Sequence, residues 1–187
     1  MHIEVEFDEW TKNFDLQGRN IVHHAAHAAM PRLLAELIHR WPAAVNIRGL
    51  QDLADEGVTP ILSACRTAQA ALREAQFATI VLLLERGASP RVKDRQTGAN
   101  FLHLLAVKWD VASFQRLFSF PGIPNLKAAA NDFDMAGYKP EARSNNKFVK
   151  SILRGDATAL TAEFLDRALE HREITRHRNV EMRPMRG

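Results

Sequence analysis

Four glycine-led stretches recur along the chain at nearly constant spacing, and this recurrence limits the fold more than any other feature. "GRNIVHHAA" begins at Gly18, "GVTPILSAC" at Gly57, "GANFLHLLA" at Gly98 and "GYKPEARS" at Gly137, so successive glycines stand 39, 41 and 39 residues apart. A period of that size marks stacked supersecondary units, each burying its apolar face against the next. The glycine permits the positive φ of a tight turn. Asn20 or Thr59 can cap a following helix, and Pro60 and Pro140 fall at a first helical position, where no backbone N–H is needed. Small residues such as Ala25 and Ala26 let a neighbouring helix approach. A second apolar set then follows: "LLAELI" (33–38), "IVLLLERGA" (80–88) and "FQRLF" (114–118). Each unit reads as a helix, a turn, a second helix and a long loop into the next turn, which predicts an all-α chain.

The pattern resembles the ankyrin repeat, with its G-x-T-P-L-H-x-A-A first helix and I-V-x-L-L-L-x-x-G-A second helix. The second unit matches at Gly57, Thr59, Pro60, Ile61 and Ala64, then at Ile80 to Leu84, Gly87 and Ala88. The first matches at Gly18, Val22, His23, Ala25 and Ala26, and the third at Gly98, Leu102, His103 and Ala106. The resemblance covers residues 15 to about 155. It implies an ankyrin-repeat solenoid of helix-turn-helix units with elongated finger loops and a C-terminal capping helix. Repeats are expected near 15–48, 54–93, 94–127 and 134–155, after an N-terminal cap segment (1–14) and before a C-terminal helix and basic tail (156–187). His23 and His103 occupy the family's T-P-L-H histidine position, where the resemblance implies a ring bonded to backbone of an adjacent turn or repeat.

The departures are specific. The family period is about 33 residues, so these repeats are six, eight and six residues longer. In the first and third the surplus lies in the fingers "HRWPAAVNIRGLQDLAD" (39–55) and "SFPGIPNLKAAANDFD" (119–134). In the second, "TAQAALREA" (67–75) either extends the two helices or adds a bulge between them. Leu62 replaces the histidine there, Trp109 replaces the usual inter-helix glycine, and the fourth repeat has Glu141-Ala142 where Leu-His is expected. A polar, degraded terminal repeat suits the end of a stack, whose outer face meets water. Beyond it, Asp156 is a plausible N-cap for a helix placing Leu160, Phe164 and Ala168 on one face, while Phe7, Trp10 and Phe14 are apolar anchors for a cap at the other end.

No apolar run approaches the ~20 residues that cross a bilayer, and "MHIEVEFDEW" has neither the basic nor the apolar region of a secretory signal. Cys65 is the only cysteine, which suits a reducing compartment, so a cytoplasmic protein is expected. Residues 171–187 carry five arginines against two glutamates, a surplus equal to the whole net charge of +3. The body therefore has no basic excess to offer nucleic acid, and any such binding would fall to the tail.

No catalytic constellation is evident. His23, His24 and His27 have helical metal-ligand spacing but no Cys or carboxylate nearby in sequence. "NDFDMAG" (131–137) opens like a calcium loop, yet Arg143 holds the twelfth position from Asp132, where a glutamate is required. Cys65 sits at an alanine position and reads as a small buried hydrophobe. A non-enzymatic protein with no metal or cofactor is expected, monomeric outside its complex, which binds another protein through the concave face and fingers. The long third finger is similar to the later repeats of inhibitors of Rel (nuclear factor κB) transcription factors; a microbial effector or immunity protein would also fit the scaffold. Positions the template leaves free are Gln17, Arg19, His27, Glu56, Arg66, Thr67, Arg95, Gln96, Lys108 and Tyr138. The fingers add Arg48, Leu50, Gln51, Lys127 and Phe133. Trp109 either anchors a partner from an exposed rim or packs against the elongated finger of the next repeat.

Overall fold

A computed structural model describes residues 13–50, 57–66, 70–123, 125–161, 163–164, 166–168 and 170. The fold is all-helical, with no strand among the described residues. Its helices are α1 (Ile21–His27), α2 (Pro31–Arg40), α3 (Pro60–Arg66), α4 (Arg73–Glu85), α5 (Phe101–Ala106), α6 (Val111–Ser119), α7 (Leu126–Ala130), α8 (Pro140–Arg143) and α9 (Lys147–Arg154). Short 3-10 turns lie at Pro42–Asn46, Ala70–Leu72 and Ala157–Leu160.

The first helices form a row, α1 on α3, α3 on α5 and α5 on α8, while α2 packs on α4 and α6 on α9. Helix α2 shows why: Leu34, Leu37 and Ile38 recur at helical spacing and are buried, leaving Arg32, Glu36 and Arg40 in water. Ile61, Leu62, Ile80, Leu83, Leu102, Leu105, Phe114 and Leu117 continue one core along the stack. Cys65 is buried within it, as its alanine-like position predicts.

The first, third and fourth units open on a closed turn. The carbonyl of Asp15 accepts the Gly18 N–H, that of Asp94 the Gly98 N–H and that of Asp134 the Gly137 N–H, at 2.8–3.1 Å. The same aspartates accept two backbone N–H groups each on Oδ1, from Gln17 and Arg19, Gln96 and Thr97, and Ala136 and Tyr138. These Asx turns fix the approach to α1, α5 and α8. Gly98 must be glycine twice over. Its φ is +67°, and a Cβ there would stand 2.7 Å from the Met135 nitrogen of the next turn.

Of the two readings of the 67–75 insertion, its described part favours extension: Ala70–Leu72 forms a 3-10 turn that runs into the long α4, while 67–69 lie outside the described residues. The expectations for Trp109, Leu160 and Asp156 are corrected. Trp109 is 5 % exposed, so it does not stand on an exposed rim. It turns back onto α4, where its indole N–H donates to Gln76 Oε1 (2.9 Å) and its ring meets Phe77 at 5.7 Å and Phe114 at 5.8 Å. At the C-terminal end Leu160 is exposed, because 157–160 is a 3-10 turn that stops before the helical stretch beginning at 163. The Asp156 side chain makes no capping bond; the Thr161 hydroxyl accepts the Phe164 N–H instead (3.3 Å). Phe164 and Ala168 are buried as expected, Phe164 edge-on to Phe148 at 5.2 Å. Phe7, Trp10 and the 171–187 tail lie outside the described residues.

Candidate interaction surface

The surface is built from the turn tips and the adjoining ends of the first helices. Two histidines lock successive turns together. His23 Nε2 donates to the Val58 carbonyl and His103 Nε2 to the Tyr138 carbonyl, both at 2.9 Å and both 35 residues along the chain. A carbonyl can only accept, so Nε2 carries the proton, and Nδ1 accepts the backbone N–H of Asn20 or Asn100. Each asparagine in turn caps its helix, accepting from the second and third helical N–H groups. Burial pushes the pKa of His103 down, against the pull of the Tyr138 carbonyl and of Asp134.

Where leucine replaces histidine the capping pattern is incomplete: the Thr59 hydroxyl is buried without a hydrogen-bond partner among the described residues, and Leu62 is fully buried. The turns of adjacent units also bond directly, Leu50 N–H to the Gly18 carbonyl (3.0 Å) and Met135 N–H to that of Thr97 (2.9 Å). The spacing of the tips is therefore held by backbone as well as by rings.

Two of the turn aspartates, Asp15 and Asp134, are held ionised. Burial raises the Asp15 pKa, but the Arg19 and Gln17 N–H groups and the Arg19 guanidinium lower it to about 2. Asp134 is likewise lowered: burial opposes, while the Tyr138 N–H and Arg143 prevail. The Arg91 guanidinium grips Asp132 with two bonds (2.6 and 3.1 Å) and lowers its pKa.

Several positions left free by the template are in use between units. His27 Nδ1 lies 3.3 Å from the Ser63 carbonyl, Arg66 pairs with Asp94 at 2.7 Å, and the Lys108 ammonium donates to the Cys65 carbonyl at 3.1 Å. Arg19 pairs with Asp15 at 3.2 Å, and the Arg95 side chain lies across Gly57. Gln17, Arg48, Leu50, Gln96, Lys127, Phe133 and Tyr138 are exposed, though Lys127 sits on α7, apart from the tips. Gln51, Glu56 and Thr67 lie outside the described residues. Trp109, as a buried core residue, is withdrawn from this surface.

Alignment on the glycines missed a second register. The residue after the turn's first position is Leu16, Leu50, Arg95 or Met135, and Leu16, Leu50 and Met135 are large exposed apolar side chains. Leu50 already counts among the finger residues; alignment on Asp15, Asp94 and Asp134, with Gly49 in the second unit, adds Leu16 and Met135. A groove of about 510 Å³ opens between two fingers, lined by Asn46, Arg48, Thr59, Ser89, Arg91, Val92 and Lys93. Among the described residues, no three His, Cys, Asp or Glu side chains converge as a metal site, and no helix is long and apolar enough to cross a membrane. Burial pushes the Cys65 thiol pKa far up, so it is no nucleophile at neutral pH. No protein-family model, curated protein or solved structure matches the chain.

Proposed function

We propose that the chain is an ankyrin-type solenoid that makes and breaks no bonds, and that it binds another protein along its turn tips and the adjacent ends of its first helices. The reading rests above all on the duplicated histidine bond, from His23 to the Val58 carbonyl and from His103 to the Tyr138 carbonyl at the same distance. That is where the family resemblance puts the T-P-L-H histidine. A ladder of turns held in this way is pre-organised, so a partner need not order it, and pre-organisation is worth affinity. Exposed Leu50, Phe133 and Tyr138 supply apolar and aromatic contact on that ladder. The action is stoichiometric masking or recruitment.

Affinity capture from native lysate with nuclease present tests the reading. Wild type would be compared with Phe133→Ala/Tyr138→Ala and with a chain ending at Glu170. A single protein captured stoichiometrically, and lost only with the double variant, is the expected result. Its identity then decides the narrower expectation of a Rel-type partner. Capture that follows the tail and vanishes with nuclease would instead move the affinity to residues 171–187 and their arginines.

A further inference from the structure

The finger groove joins two features that the fold itself does not use. Arg48 and Lys93 line it from successive fingers, at equivalent places one residue before Gly49 and Asp94. Both are exposed. Among the described residues Arg48 donates to the Gly57 carbonyl, at 3.4 Å, and Lys93 to the Phe133 carbonyl, at 2.7 Å. Neither forms an ion pair among the described residues. The turn carboxylates nearby are already occupied: Asp94 holds Arg66, Asp132 holds Arg91 and Asp134 holds Arg143. Among the described residues the face therefore keeps two cations outside any ion pair, although the charge of Lys93 is felt at Asp132. Apolar side chains flank them, Leu50 on one turn and Phe133 and Met135 on another, each 44–69 % exposed.

We infer that this groove binds a segment of a partner protein in which carboxylates are flanked by large apolar side chains. The carboxylates lie between Arg48 and Lys93, and the apolar residues lie on Leu50, Phe133 and Met135. A guanidinium presents a fork matched to a carboxylate, and an ammonium adds a point charge beside it. Nucleic acid fits less well. Phosphate contacts would use the two cations, but the aliphatic side chains of Leu50 and Met135 offer neither charge nor a stacking plane. The inference rests on the reading of the turn tips as a protein-binding edge and adds the chemistry of what binds there.

The test is fluorescence anisotropy on the full chain with a short labelled peptide alternating glutamate and leucine. Matched peptides carry lysine for glutamate or serine for leucine, and a labelled single-stranded oligonucleotide serves as a further probe. The protein variants are Arg48→Glu/Lys93→Glu and, because Lys93 also ties the Phe133 carbonyl, Arg48→Glu alone. The glutamate–leucine peptide should bind saturably and weaken with salt. Binding should fall at least about tenfold in the double variant, since two attractive charges become repulsive. The single variant should fall part of the way with an unchanged melting temperature. The lysine and serine peptides should bind more weakly than the first. Equal binding by the lysine peptide, indifference to the variants, or oligonucleotide binding in place of peptide binding would each overturn the inference. If the lysate partner survives Arg48→Glu/Lys93→Glu but is lost with Phe133→Ala/Tyr138→Ala, the groove assignment fails and the protein-binding reading stands. Loss of capture only with the tail would sink both.

Discussion

At position 103 an imidazole occupies the third residue of a first helix; at position 62 the same place holds a leucine. Asn100 therefore serves both a ring and two helix N–H groups, and its amide also donates to the Ala129 carbonyl, whereas the Thr59 hydroxyl is orphaned. Removing a hydroxyl that has no partner relieves a buried polar group, while removing a satisfied one strands its partners. Thr59→Val should thus leave the urea midpoint unchanged or raise it, and Asn100→Ala should lose roughly 2 kcal/mol or more. Equal losses would show that Thr59 caps through a bond the structure lacks. The His103 ring sets a pH dependence. Its folded pKa lies below the 6.5 of the free ring, mainly through burial, so on acidification the unfolded chain takes up the proton first. The stability it contributes is complete above about pH 6.5 and is lost as pH falls toward the folded pKa. Asp15, at about 2 against 3.8, gives a second loss of the same sign at lower pH, beginning near 3.8. Urea midpoints should therefore fall in two separated steps. His103→Gln should flatten only the upper one; a curve flat between about pH 7.5 and about 5.5 would rule out the lowered His103 pKa. These roles were half legible. The resemblance to the ankyrin pattern implied a backbone-bonding ring at His103, but which carbonyl it meets is decided 35 residues away.

Helix α4 and the turn after α5 each break the template, and each break accommodates the other. The extended start of α4 brings Gln76 and Phe77 under the indole of Trp109, where the template has glycine and no side chain to cover. Gln76 also donates to the Ala64 carbonyl at 2.8 Å, so its amide is satisfied at both ends. Arg116 lies over the other side of the pair, 4.1 Å from the Phe77 ring centre, and bonds Glu74 at 2.8 Å. In sequence these are two unrelated anomalies, an insertion and a large residue at a turn, and nothing local says that they touch. Periodicity finds elements; it is silent on pairings between departures from the period. Trp109→Ala should lose about 3–5 kcal/mol. Gln76→Leu should lose about 1–3 kcal/mol by stranding the indole N–H, and adding Trp109→Phe should return part of that loss. Strict additivity in this denaturation cycle would mean that the Gln76–Trp109 bond is not formed. The equivalent turn two units earlier shows the alternative solution: Ala29 adopts φ +52° between α1 and α2. Ala29→Gly should raise stability by up to about 1 kcal/mol, less the value of the buried methyl it removes.

Across the whole molecule, cohesion passes from neighbour to neighbour. Asn46 bonds Gly87 and Ser89 and Arg91 bonds Asp132, each one unit on, while at the C-terminal end Gln115 reaches past α8 and α9 to the Ala159 and Thr161 carbonyls. This explains why the candidate surface was less legible than the fold. A template marks His27, Arg66 and Lys108 as free because no single repeat needs them, yet the stack uses all three to join one unit to the next. It also predicts how the chain comes apart. With coupling mainly between adjacent segments, stability is close to a sum of unit and interface terms, so removing an end segment should weaken that end first. Residues 156–170 cover α9 through Phe164 against Phe148 and satisfy the Gln115 amide, which is buried on α6. In a chain ending at Gly155 the Gln115 amide loses both acceptors and the apolar side of α9 meets water. Hydrogen exchange should then quicken in α9 and α6, less in α5, and not at all in α1 and α2. Exchange that quickens equally in all of them would mean that the stack opens as one cooperative body, and the nearest-neighbour account would have to be given up.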